Sequence, residues 1–313
     1  AGFWHGRRHL SDVLRKAFNN APDVDDSDEL LSYRAAVLGA LLGSLLALGW
    51  LLAAGLNLLT AAVFLFMSMV IFIGLTRIIA QTGLASYRAS VASPVFTVNA
   101  LGSSLVGAPG LTVLGLNFAW AADVRTFVMA SAATGVKLAQ ETALEGRRLL
   151  WAIIGAILVT LAGSAWAIVH LSYQYGGINL HSWYFSGAPR WPFRYLASVY
   201  NAPEPFLPRL TFTGIGATVM ASLLFLRHRF LWWPLHPIGF PIASTYTIVS
   251  YGWFAIFTAW LCKTIILRYG GVGAYRTMLP FFLGLILGEF TTAGVWVFID
   301  GAYGIEGNMI FNF

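Results

Sequence analysis

The sequence is short of charge. Only 10% of its 313 residues are Asp, Glu, Lys or Arg, whereas soluble domains carry about a quarter. Too few charges remain to coat a water-facing surface. Cysteine is scarcer still: Cys262 alone excludes an intrachain disulfide and a cysteine metal centre. In its apolar run it reads as a small packing residue. The first residues are polar and no short apolar core leads them, so no secretory signal is read. A start at Ala1 rather than Met reads as an internal piece of a longer protein. The phosphate-cradling GxxxxGK[ST], the zinc motif HExxH and the nucleophile motif GxSxG do not occur. No His pair sits at helical spacing inside an apolar run, so neither haem nor any other cofactor or metal is expected, and an enzyme is disfavoured.

What fills the sequence is apolar. Hydrophobic residues make up 58% and mean hydropathy is +0.72. No charged residue lies between Arg34 and Arg77. A bilayer crossing takes about 20 apolar residues, so this run is two helices, 35–54 and 57–76, joined by a turn at Gly55-Leu56-Asn57. Further spans are expected at 149–170, 210–226 and 278–299. The expected fold is an all-α polytopic transmembrane bundle in a lipid bilayer, following a polar leader, 1–34. In the leader, Ser11 to Phe18 reads as a short capped surface helix. Pro22 to Glu29 reads as a solvated acidic turn, since Asp28 stands where a calcium loop needs Gly.

Two stretches are uncharged yet broken. Residues 89–122 hold Pro94, Gly102, Gly107, Pro109, Gly110 and Gly115 among Thr97, Asn99, Ser103, Ser104 and Asn117. Residues 237–262 break at Gly239 and Pro241. Such backbone is tolerated at membrane depth only when buried in protein or lining a cavity, so discontinuous or re-entrant helices are expected. The charged segment 123–148, with Lys137 and Glu141 at pairing distance on a helix, reads as a cytoplasmic surface helix. Residues 171–209, rich in aromatics and proline, read as a loop in the headgroup layer.

All 19 Lys and Arg except Arg190, Arg194 and Arg209 fall within 1–34, 77–94, 123–148, 227–236 and 263–277. Basic loops face the cytoplasm, so these segments and the N-terminus are placed inside. No basic stripe exists, and nucleic acid is not an expected partner. Glu289, near the middle of the last span, is the foremost pathway candidate, because an ionisable group there must pair, protonate or meet water. The others are Lys263, a membrane-edge anchor or the partner of Glu289; Arg77, a helix cap or substrate contact, with Gln81; Asn99 and Asn117 in the broken run; Asp123 and Arg125, an ion pair or a gate; and His236 in a proline turn.

Four stretches carry a family likeness: Pro22 to Arg34, Ser182 to Trp191, Phe230 to Gly239, and Pro280 to Phe290. In them the chain resembles a family of large bacterial multi-pass membrane proteins of unknown function, in which this region is the C-terminal half. That family is distantly similar to the oligopeptide transporter superfamily, through the segment Ala122 to Gln140. The resemblance implies a cell inner-membrane location, an N-terminal half or partner subunit, and transport of a small solute. A homo-oligomer, a structural or accessory subunit and a membrane enzyme acting on lipid stay open as alternatives.

Overall fold

A computed structural model describes residues 6–27, 29–84, 89–121, 128–141, 146–200, 207–246 and 248–305. These residues are 86% helical, without strands, and six of their helices are long and apolar enough to cross a membrane. The chain divides into two units, Ala1–Pro241 and Ile242–Phe313.

The first unit begins with α1 (Arg7–Asn19). It starts four residues ahead of the predicted cap: Gly6 takes the N-cap position without a side-chain bond, and Ser11 lies inside the helix. Its C-terminus closes on Asn20 in the left-handed region, which Asn tolerates better than most residues. Helix α1 packs against α2 (Tyr33–Ala53), with Ala17 buried and the ring of His9 5.8 Å from that of Tyr33. The intervening acidic turn is self-satisfied. Asp25 Oδ1 accepts from Ser27 N at 3.0 Å, a bond that holds its carboxyl below the usual range. Asp26 accepts from Tyr33 N, and Asp23 pairs with Arg15 at 2.9 Å.

The turn to α3 (Leu58–Thr82) uses Gly55 at φ +112, and Asn57 caps α3 by accepting from Thr60 N at 2.8 Å. At the other end Gly83, at φ +68, closes α3. There Lys137 donates to Ala80 O at 3.0 Å from α5 (Val128–Glu141), a cation set against the negative end of the helix dipole. The expected Glu141 partner of Lys137 falls outside the described side chains.

Between them runs α4 (Ser93–Ala121), which is not continuous: Gly102 (φ 79, ψ 157) and Gly107 (φ 72, ψ 162) leave helical geometry. Pro109 then sits in the first turn of the last segment, where its missing N–H costs nothing. Half of α4's most apolar stretch is buried, and the core gathers around it: Leu51, Leu56, Phe64, Val106, Leu111 and Leu114. The next span is α6 (Gly146–Leu171). Residues 171–187 then make two π-helical turns, Ser172–Gly176 and Trp183–Gly187. These lead into α7 (Ala188–Tyr200), followed by α8 (Leu207–Arg229).

Within the expected headgroup-layer loop at 171–209, residues 188–200 form a helix that packs against α4. Its Phe193 and Leu196 fill the space left by Gly115, where a Cβ would stand 2.7 Å from Leu196 Cδ1 and 3.1 Å from Phe193 Cε1. A side chain at 115 would prise α7 away.

The short α9 (Gly239–Ala243) straddles the boundary between the units. The second unit holds a π-helical turn, Ile248–Gly252, and α10 (Trp253–Tyr303). At 1.5 Å per residue α10 is about 75 Å of helix, more than twice the hydrocarbon core, and Gly271 (φ 65, ψ −168) breaks it. Lys263 Nζ lies 5.6 Å from the ring centre of Tyr275, across that break. A straight helix would part these residues by roughly 18 Å, so the axis bends there.

Candidate functional site

The break in α4 is where polar groups collect. Leaving helical geometry at Gly102 and Gly107 frees backbone carbonyls, and in a membrane each must find a partner inside the protein. Asn57 supplies one: its Nδ2 donates to Leu105 O at 2.7 Å while its Oδ1 caps α3. Pro109 lies against Gly55 in the same turn, 3.6 Å from where a Cβ would stand. Ser103 Oγ donates to Tyr200 O at 3.2 Å, tying the break to the end of α7. Arg209 Nη1 donates to Asn99 Oδ1 at 3.4 Å, tying it to the start of α8. Tyr195 brings a buried hydroxyl near Arg209. Thr60 Oγ1 is fully buried and has no hydrogen-bond partner among the described residues.

The register of these contacts fixes a depth. Asn57 begins α3 beside Leu105, and Phe64 and Phe72 both face Trp120, with ring centres 5.4 and 6.0 Å away. The last segment of α4 thus runs parallel to α3, from its start to about its middle. Helix α7 runs the opposite way along α4, with Tyr200 at Ser103, Leu196 at Gly115 and Trp191 at Phe118, ring centres 5.3 Å apart.

The predicted candidates separate on this frame. Asn99 is 7% exposed and belongs to the break. Asn117 is buried but serves its own helix, donating to Val113 O at 2.8 Å and accepting from Trp120 Nε1 at 2.5 Å. Arg77 and Gln81 are exposed on the last turns of α3. The end of α3 is closed by Gly83, with Lys137 donating to Ala80 O, and among the described residues Arg77 makes no hydrogen bond there. His236 accepts from Ile238 N at 3.2 Å, a bond internal to its own turn. Asp123 and Arg125 lie outside the described residues. In the second unit Glu289 is exposed, and among the described residues no hydrogen bond or ion pair reaches it. Lys263 is exposed and stands over Tyr275 rather than pairing with Glu289.

Asn57, Thr60, Tyr195 and Arg209 escaped sequence reasoning. Asn57 was legible as a turn residue and nothing more. The Arg209–Asn99 contact joins residues 110 apart in sequence, for which no local pattern exists.

Over residues 1–312 the sequence matches a family of unknown function (DUF6785). No curated protein and no solved structure matches the chain. The likeness to a family of unknown function thus rests on the whole chain, while neither the oligopeptide transporter resemblance nor a place in the C-terminal half of a longer protein gains support from these comparisons.

Proposed function

Because the chain belongs to the DUF6785 family, whose function is not known, we propose an activity from its own geometry: it is the membrane domain of a secondary transporter for a small solute. One observation supports this above the rest. A span is broken twice at glycine, and the break joins Asn99 and Ser103 of α4 to Tyr200 O at the end of α7 and Arg209 of α8. Broken helices of this kind present polar backbone and side chains to solute in transporters, and the contact of Asn57 with Leu105 sets this break at the mouth of the span. Glu289 serves as the coupling carboxylate, and the distribution of basic residues supports a cytoplasmic N-terminus in a bacterial inner membrane.

The test is whether water reaches the break. With Cys262 replaced by Ala, a cysteine at Asn99 in proteoliposomes is offered membrane-impermeant thiol reagents from each side. Labelling from both sides is the expected result for alternating access. A thiol that stays unlabelled from either side means a dry break and ends the transport reading.

A second reading, as a packing subunit of a larger assembly, draws on a different observation. The most apolar stretches of α6 and α8 are wholly unburied within the chain, and their faces are left for lipid or another protein.

A further inference from the structure

Helix α7 carries charge where the bilayer tolerates little. Its residues fall on two faces. Pro192 and Leu196 are buried, Tyr195 and Val199 half-buried, and all four lie toward α4. Arg190 and Arg194, four positions apart on the opposite face, are exposed, and among the described residues neither has a hydrogen bond or ion pair.

Their depth follows from the ladder of contacts. Trp120 lies between Phe64 and Phe72, at the middle of α3, a helix of 25 residues and mean hydropathy 2.6 in its best stretch. Phe118, two residues before Trp120, meets Trp191 at 5.3 Å. Trp191 therefore stands near the middle of the span, with Arg190 beside it and Arg194 one turn toward the outer end of α3. An arginine facing hydrocarbon at that depth is costly, and such residues face a bundle interior or a water-filled cavity. Two of them one turn apart on a single face, with Arg209 anchored at Asn99 near the mouth, make a positive lining.

We propose that α7 is a re-entrant helix and that Arg190 and Arg194 line a water-filled, anion-attracting pathway at bilayer depth, taking a solute that carries a carboxylate or phosphate group. This deepens the transport reading and rests on it. Arginine suits the task because its planar fork donates to two anion oxygens at once and keeps its charge.

The experiment uses the full chain in phosphatidylcholine liposomes with Cys262→Ala. Arg194→Cys is reacted with two water-soluble methanethiosulfonates of similar size, one anionic and one cationic, and Leu196→Cys serves as the packed control. We expect Leu196→Cys to stay unreactive. Arg194→Cys should react several-fold faster with the anionic reagent, and that preference should collapse when Arg190→Gln is added. No reaction of Arg194→Cys with either reagent overturns the wet pathway. Equal rates with both, or a preference that survives Arg190→Gln, overturn anion selectivity. Should Leu196→Cys react like Arg194→Cys, α7 is not packed on α4 and the depth argument fails. Labelling of Asn99→Cys from both sides while Arg194→Cys stays silent would sink this inference alone and leave the transport reading standing.

Discussion

Helices α4 and α10 are both broken by a glycine with positive φ, and they treat their polar residues in opposite ways. In α4 each break is answered from inside the protein: Asn57 takes Leu105 O, Ser103 reaches Tyr200 O, and Asn99 accepts from Arg209. In α10 the break at Gly271 is bridged by one exposed cation over one ring, and Glu289 stands exposed. Half of α4's most apolar stretch is buried, but only 6% of α10's. The contrast separates two kinds of membrane residue. Polar groups of α4 are held by contacts within the first unit, whereas among the described residues no hydrogen bond or ion pair reaches the carboxylate of α10.

The sharpest way to break this contrast is to remove the internal answer. Asn57→Leu deletes the α3 cap, about 0.5–2 kcal/mol, and removes the side-chain donor to Leu105 O, about 0.5–1.5 kcal/mol. A combined loss of roughly 1–3 kcal/mol is expected, measured as a lowered thermal midpoint in detergent. An unchanged midpoint would mean that the break is not held by Asn57.

Next in size is Gly115→Leu. The added side chain meets Leu196 and Phe193, and overpacking costs about 1–3 kcal/mol. A large-to-small change at its neighbour, Leu196→Ala, should recover part of that loss in the double variant. If the two losses simply add, α7 does not lie against Gly115.

These positions also mark how far the sequence could be read. Long uncharged runs announced membrane helices because their apolar character is a local property, and Gly102 and Gly107 stood out because glycine and proline are costly inside a span. The register of α7 on α4 was not legible. It depends on the missing side chain of Gly115 meeting residues some eighty positions away, and the amphipathic pattern of 188–200 fits a surface helix equally well. Arg190 and Arg194 were therefore counted among the residues of an outer loop. The same holds for Lys137, whose donation to Ala80 O at the end of α3 reaches 57 positions along the chain.

That cap sets the third expectation. Lys137→Met removes a cation from the C-terminal end of α3, worth about 0.3–1 kcal/mol and screened by salt. The loss should appear in low-salt detergent and shrink when salt is raised. A loss independent of salt would point to packing of the aliphatic stem rather than to the helix dipole.

The smallest effect should come from the most conspicuous residue. Glu289 is exposed on α10, and substitutions at exposed positions away from any partner shift stability by less than about 0.5 kcal/mol. Glu289→Gln should therefore leave the thermal midpoint of the isolated chain in detergent unchanged, while Asn57→Leu lowers it. In lipid the two should trade places: if Glu289 couples transport, its amide variant abolishes proton-driven uptake without loss of folded protein. A destabilised Glu289→Gln would show instead that the carboxylate has a structural partner. The difference drawn between α4 and α10 would then disappear, because both helices would hold their polar groups for the fold.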